Sequence, residues 1–133
     1  LAAPESFNPA KPAIIVVFFH GNNATLSHDV IARQQIVRQL ADSGLNAVLV
    51  APQLAVDAPD SSAGRFWSPG GFAAFLSEAQ TKLGDLYPNA RGAFRRMPVV
   101  IVAGRVIVPV CLLFDQPLVS FDRLSDFLDI GSS

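Results

Sequence analysis

The sequence predicts an α/β fold: a mostly parallel sheet covered by helices. Two observations lead there. Apolar runs of strand length recur at residues 13–19, 45–51 and 99–103 with no polar alternation. Such runs suit strands buried on both faces. Between them lie stretches whose apolar residues repeat with helical spacing, and strands alternating with helices build parallel sheets with right-handed crossovers.

Residues 1–12 read as an extended lead-in, because Pro4, Pro9 and Pro12 block regular structure. Ala13-Ile-Ile-Val-Val-Phe-Phe19 is the first strand, ended by the turn formers His20-Gly21-Asn22-Asn23. Ser27 is the expected N-cap of a helix, with Asp29 in its first turn. Val30, Ile31, Val37, Leu40 and Ala41 form its apolar face, and Gly44 its stop. Leu45 to Ala51 is the second strand, followed by an irregular loop from Pro52 to Gly64. Ser68-Pro69 reads as an N-cap with proline at the first helical position. Phe72, Phe75, Leu76, Ala79 and Leu83 make the stripe of a second helix ending at Gly84. Pro88 to Arg96 is a polar, basic connection. Val99 to Ala103 is the third strand and Val106 to Phe114 a fourth. Ser120 opens a last helix with Phe121, Leu124, Phe127 and Leu128 on one face.

The chain of 133 residues is expected to form one domain spanning 1–133, since domains usually run about 100–150 residues. Half of the residues are apolar and 16% charged, too few charges for a disordered tail. A net charge of −1 gives no sign of nucleic acid or an anionic surface as partner. The single cysteine, Cys111, excludes an intrachain disulfide and a cysteine-based zinc site, and inside an apolar strand it reads as a small hydrophobe. No phosphate-binding glycine motif occurs. The stretch from Met97 to Phe114 carries only Arg105 as a charge, yet Pro98, Gly104, Pro109 and many β-branched residues make it strands rather than a membrane span. The start Leu1-Ala2-Ala3-Pro4-Glu5 fits either an exported chain after signal removal or a cytoplasmic one.

The connection between the third and fourth strands holds only Gly104 and Arg105. Two residues suffice for an antiparallel hairpin, whereas a parallel neighbour needs a crossover of about a dozen. The fourth strand, apolar on both faces and followed by an amphipathic stretch, reads like another central parallel strand. The sequence therefore leaves two expectations: an unusual hairpin, or a crossover segment missing between Ala103 and Arg105.

Val16-Val-Phe-Phe-His20-Gly21-Asn22-Asn23 before a capped helix resembles the oxyanion-loop strand of the α/β-hydrolase superfamily. Ala47-Val-Leu-Val-Ala51-Pro52-Gln53 resembles the next strand and its carboxyl-end loop. Residues 70–83 resemble the helix leading to the nucleophile strand, and Met97-Pro-Val-Val-Ile-Val-Ala103 resembles that strand. The resemblance covers roughly residues 13–129 and implies an incomplete α/β-hydrolase-like sandwich. Where the family places a Gly-x-Ser-x-Gly nucleophile elbow, Gly104-Arg105-Val106 stand instead. The two histidines, His20 and His28, both precede every plausible nucleophile, so the family's order of Ser, acid and His is not met.

The resemblance implies an oxyanion hole at Gly21, Asn22 and Asn23, whose backbone N–H groups would face the charge developing on a carbonyl oxygen. Read from the residues alone, the same loop is a tight strand-to-helix turn. His20 is a supporting residue that orients neighbouring loops, and His28 a surface residue. Asp57, Phe66, Trp67 and Asp115 are pocket candidates. Asp57 shares a strand-end loop with Asp60, Ser61 and Ser62; the aromatic pair lies near a helix start; Asp115 follows the fourth strand. No metal site and no cofactor are implied, since the family's acyl chemistry uses side chains and backbone donors. The expected activity is that of the parent family, serine-type hydrolysis of an ester, thioester or amide. The alternative is a non-catalytic pseudoenzyme or small ligand-binding module. Expected partners are a small acyl compound and a second copy of the chain joined through an open sheet edge, with no nucleic acid and no membrane span.

Overall fold

The computed structural model describes residues 1–20, 25–54, 64–103 and 106–108. For Trp67, Ala103 and 106–108 the description covers the backbone alone. Strands β1 (Ile14–Phe19), β2 (Ala47–Val50), β3 (Val99–Ala103) and β4 (Val106–Val108) form one sheet of order β2-β1-β3-β4. β1 runs parallel to both β2 and β3, pairing Val17 with Val50 on one side and with Ile101 on the other. This is the α/β class predicted, in an open sheet.

β1 leads to β2 through a π-helix (Leu26–Arg33) and α1 (Ile36–Asp42); β2 leads to β3 through α2 (Gly71–Leu86). β2 and β3 flank β1 on opposite sides, so crossovers of one hand set the two helical layers on opposite faces. That is why the strands are apolar throughout. Ile15, Val17, Val48, Val50 and Val99 pack against Leu76, Ala79 and Leu83 of α2. Ile14, Phe18, Ala47 and Leu49 pack against Val30 and Leu40 on the other face.

The fourth strand corrects one expectation. β4 pairs antiparallel with β3, Ala103 facing Val106 and Ile101 facing Val108. It is a hairpin arm rather than a central parallel strand, because two residues can reverse the chain but cannot carry it back to the other end of β3. Its expected continuation to Phe114, Cys111, Asp115 and the last helix lie outside the described residues.

The first helical layer also departs from expectation. Its N-cap is Thr25, not Ser27: the Thr25 hydroxyl accepts the His28 N–H at 3.2 Å, and the Asp29 carboxylate accepts the Thr25 N–H at 2.8 Å. This reciprocal pair occupies two helix-start donors. The expected single helix is broken at Gln35, whose φ of 49° is left-handed. In consequence Ile31 and Ala41 are exposed and Ile36 packs inward.

α2 starts at Gly71 behind a Gly70 cap rather than at Ser68-Pro69, which form the preceding turn. It continues past Gly84 to Leu86. Gly84 is buried because Arg91 crosses it; a Cβ there would meet Arg91 Cγ at 2.7 Å. Between α2 and β3 the chain makes two 3₁₀ turns rather than a plain polar connection. Phe94 in the second is fully buried, and its carbonyl accepts the buried Gln80 amide at 3.0 Å. The lead-in is partly structured: Ala2 exchanges two backbone hydrogen bonds with Leu49 along the outer side of β2. Phe7 packs on Tyr87 and Phe94.

Candidate functional site

In an open parallel sheet, ligands bind outside the carboxyl ends of the strands where the chain order reverses. Here β1 connects first to β2 on one side, and the chain then crosses to β3 on the other. The switch point therefore lies between the carboxyl ends of β1 and β3, at His20 and Ala103.

His20 directly follows β1 and is only 6% exposed. Its Nε2 accepts the backbone N–H of Leu54 at 3.0 Å. A backbone donor fixes the ring as the tautomer with its proton on Nδ1. The Gln53 amide nitrogen lies 3.0 Å from the same Nε2, and the Gln53 oxygen accepts the Leu26 N–H at 2.8 Å. That second backbone donor fixes which way the Gln53 amide points. The acceptor nitrogen of His20 is thus engaged by the loop after β2.

Gly21, Asn22 and Asn23 lie outside the described residues, but both of their flanks are described. His20 before them and Leu26 after them are both held by Gln53. One side chain after β2 therefore contacts both His20 and Leu26. Gln53 and Leu54 were not singled out from the sequence; their place directly after a parallel strand was the available signal.

The amide donors at the start of the π-helix are largely engaged. Leu26 donates to Gln53, His28 to Thr25, and Thr25 itself donates to Asp29. The Thr25 N–H holds the Asp29 carboxyl below the usual carboxylate range, helped by the Arg33 and His28 charges against partial desolvation. His28 is exposed, 3.6 Å from Asp29.

Phe66 lies in a 3₁₀ turn (Gly64–Trp67) and packs edge-on against Phe19 at 5.4 Å and Phe75 at 5.0 Å, with Phe72 beside them. Phe19 and His20 are neighbours on alternate sides of the chain. The aromatic cluster thus backs one face of the strand end while the polar network holds the other. The backbone of Trp67 shares the turn, its side chain falling outside the described residues, as do Asp57 and Asp115. A cavity of about 230 Å³ lies near the carboxyl end of β2, lined by Val50, Pro52, Phe75, Glu78 and Lys82 among others. A second, of about 370 Å³, opens near the start of β1, beside Lys11, Ala13, Arg96 and Pro98. Neither includes His20.

Among the described residues no group of three metal-ligating side chains converges, and no helix is long and apolar enough to cross a membrane. Comparison with protein-family models, curated proteins and solved structures returns no match.

Proposed function

We propose that the chain is an α/β-hydrolase-like protein whose parent reaction is serine-type hydrolysis of an ester, thioester or amide. One observation supports the reading: beside the switch point of a parallel sheet, Gln53 contacts both His20, which ends the described run after β1, and Leu26, near the start of the next one. Catalysis by an oxyanion loop demands donors held in place before the charge develops. The contacts of Gln53 with both His20 and Leu26 support the reading on that ground. In this reading Asn22 and Asn23 offer backbone N–H groups to the carbonyl oxygen, and His20 and Gln53 position them. Hydrolysis of a p-nitrophenyl ester, paired with covalent labelling by a fluorophosphonate probe, tests it. Turnover with labelling at a single serine supports the catalytic reading; a freshly purified chain showing neither sinks it.

The hairpin favours a second reading. β3 passes through Gly104-Arg105 straight into antiparallel β4, where the family would place its nucleophile-bearing turn into a helix. A module that binds an acyl compound without cleaving it fits that connection. It predicts no turnover, yet saturable shifts of the Leu26 and Leu54 amide resonances on adding butyrate.

A further inference from the structure

We propose that the segment from Leu26 to Asp42 is a two-register element, in which the π-helix with its break at Gln35 exchanges with one continuous α-helix. Four observations converge. The segment carries five-residue steps, Val30 to Thr25 at 3.3 Å and Gln34 to Asp29 at 2.7 Å, beside a four-residue step from Asp29 to Thr25 at 3.0 Å. This form fills eight residues, although π geometry is usually confined to single turns inside α-helices. Gln35 has a φ of 49°, a conformation that disfavours side chains larger than glycine's hydrogen. Beside it the Gln34 Oε1 is buried without a hydrogen-bond partner among the described residues.

The fourth observation is in the sequence pattern. Leu26, Val30, Gln34, Val37 and Ala41 are spaced at steps of four, four, three and four, one stripe of an unbroken α-helix. The structure instead lays Leu26, Val30, Ile36, Val37 and Leu40 on the sheet and leaves Ala41 exposed. The chain therefore carries two overlapping stripes that share Leu26, Val30 and Val37. The broken register packs the larger Ile36 and Leu40 inward. The continuous register releases the left-handed Gln35 and turns α1 toward Ala41. The opposing terms keep the two close in energy, and packed elements of this kind exchange between discrete arrangements. Because Leu26 is tied to Gln53, a change at the ends of β1 and β2 pulls on the start of this element.

The full chain, isotope-labelled, tests this with Gln35→Gly and Gln35→Ala. Glycine accepts positive φ, so Gln35→Gly is expected to hold the broken register. Alanine resists it, so Gln35→Ala is expected to favour the continuous helix by roughly tenfold relative to the glycine chain. The readouts are the carbonyl to which the Gln34 amide couples, Val30 in place of Asp29, and the Cα shift of residue 35. An alanine chain that keeps the Gln34–Asp29 coupling and a positive φ overturns the proposal. Should that chain fail to fold, relaxation dispersion on the wild type decides: exchange centred on Val30–Leu40 supports two registers, and flat profiles there overturn them.

Discussion

His20 Nε2 and the Leu54 backbone N–H lie 3.0 Å apart, which welds the carboxyl end of β1 to the loop that follows β2. The bond spans thirty-four positions of sequence and sits beside the switch point of the sheet. Removing the acceptor leaves a half-buried N–H without its partner, which costs about 2 kcal/mol. Urea denaturation of His20→Leu should show that loss. His20→Gln, whose side-chain oxygen can reach a similar place, should recover more than half of it. Equal losses in the two variants would mean that the ring contributes by packing alone.

Gln53→Ala removes the acceptor of the Leu26 N–H and the amide facing His20. The site is more exposed, so the expected loss of stability is smaller, about 1 kcal/mol. Amide hydrogen exchange should accelerate at Leu26 and Leu54 while α2 stays protected. Uniform acceleration across the sheet would contradict a local anchoring role.

The Asp29 carboxyl should make stability depend on acid. It is held below its ordinary range first by the Thr25 N–H and then by Arg33 and His28. A group depressed in the folded state stabilises above its unfolded pKa, about 3.9. That contribution drains away as pH falls through the lower folded value. Thermal melts between neutral and strongly acidic pH should thus fall more steeply below about pH 4 for the wild type than for Asp29→Asn. Parallel curves would contradict the assignment.

Gly84 should resist enlargement. In an open helix, glycine to alanine gains about 1 kcal/mol. Here the new methyl would press on the Arg91 stem and disturb its 3.0 Å ion pair with Asp85. Gly84→Ala should therefore gain nothing or lose stability, and Gly84→Val should lose about 2 kcal/mol. A thermal melt showing the full helix-propensity gain for alanine would show that Arg91 yields freely.

The strands were legible because burial on both faces writes them as unbroken apolar runs, as in Ile14–Phe19 and Val99–Ala103. α2 was legible from Leu76, Ala79 and Leu83, which recur at helical spacing. Its start was misread because Ser68-Pro69 carries strong capping chemistry, while the observed cap, Gly70, works through a positive φ that sequence only hints at. The break at Gln35 was illegible: glutamine does not signal a left-handed turn, and the apolar spacing fits one helix equally well. The candidate loop Gly21–Asn23 lies outside the described residues. The contacts beside it were not legible, because Gln53 and Leu54 reach Leu26 and His20 across twenty-seven and thirty-four positions. The short link after β3 was legible as an anomaly, and two residues of loop dictated the hairpin.

The central proposal is that backbone N–H groups after β1 stabilise an acyl oxyanion. Proline lacks that N–H, so Asn22→Pro and Asn23→Pro each delete one donor. The direct measurement is kcat for p-nitrophenyl butyrate in the wild type and in each variant, with folding checked by amide spectra. Loss of a true oxyanion donor lowers kcat by roughly 10²–10³. The account predicts a fall of that size in at least one variant, with KM nearly unchanged. A wild-type chain without turnover, or one whose kcat both prolines leave intact, would contradict it.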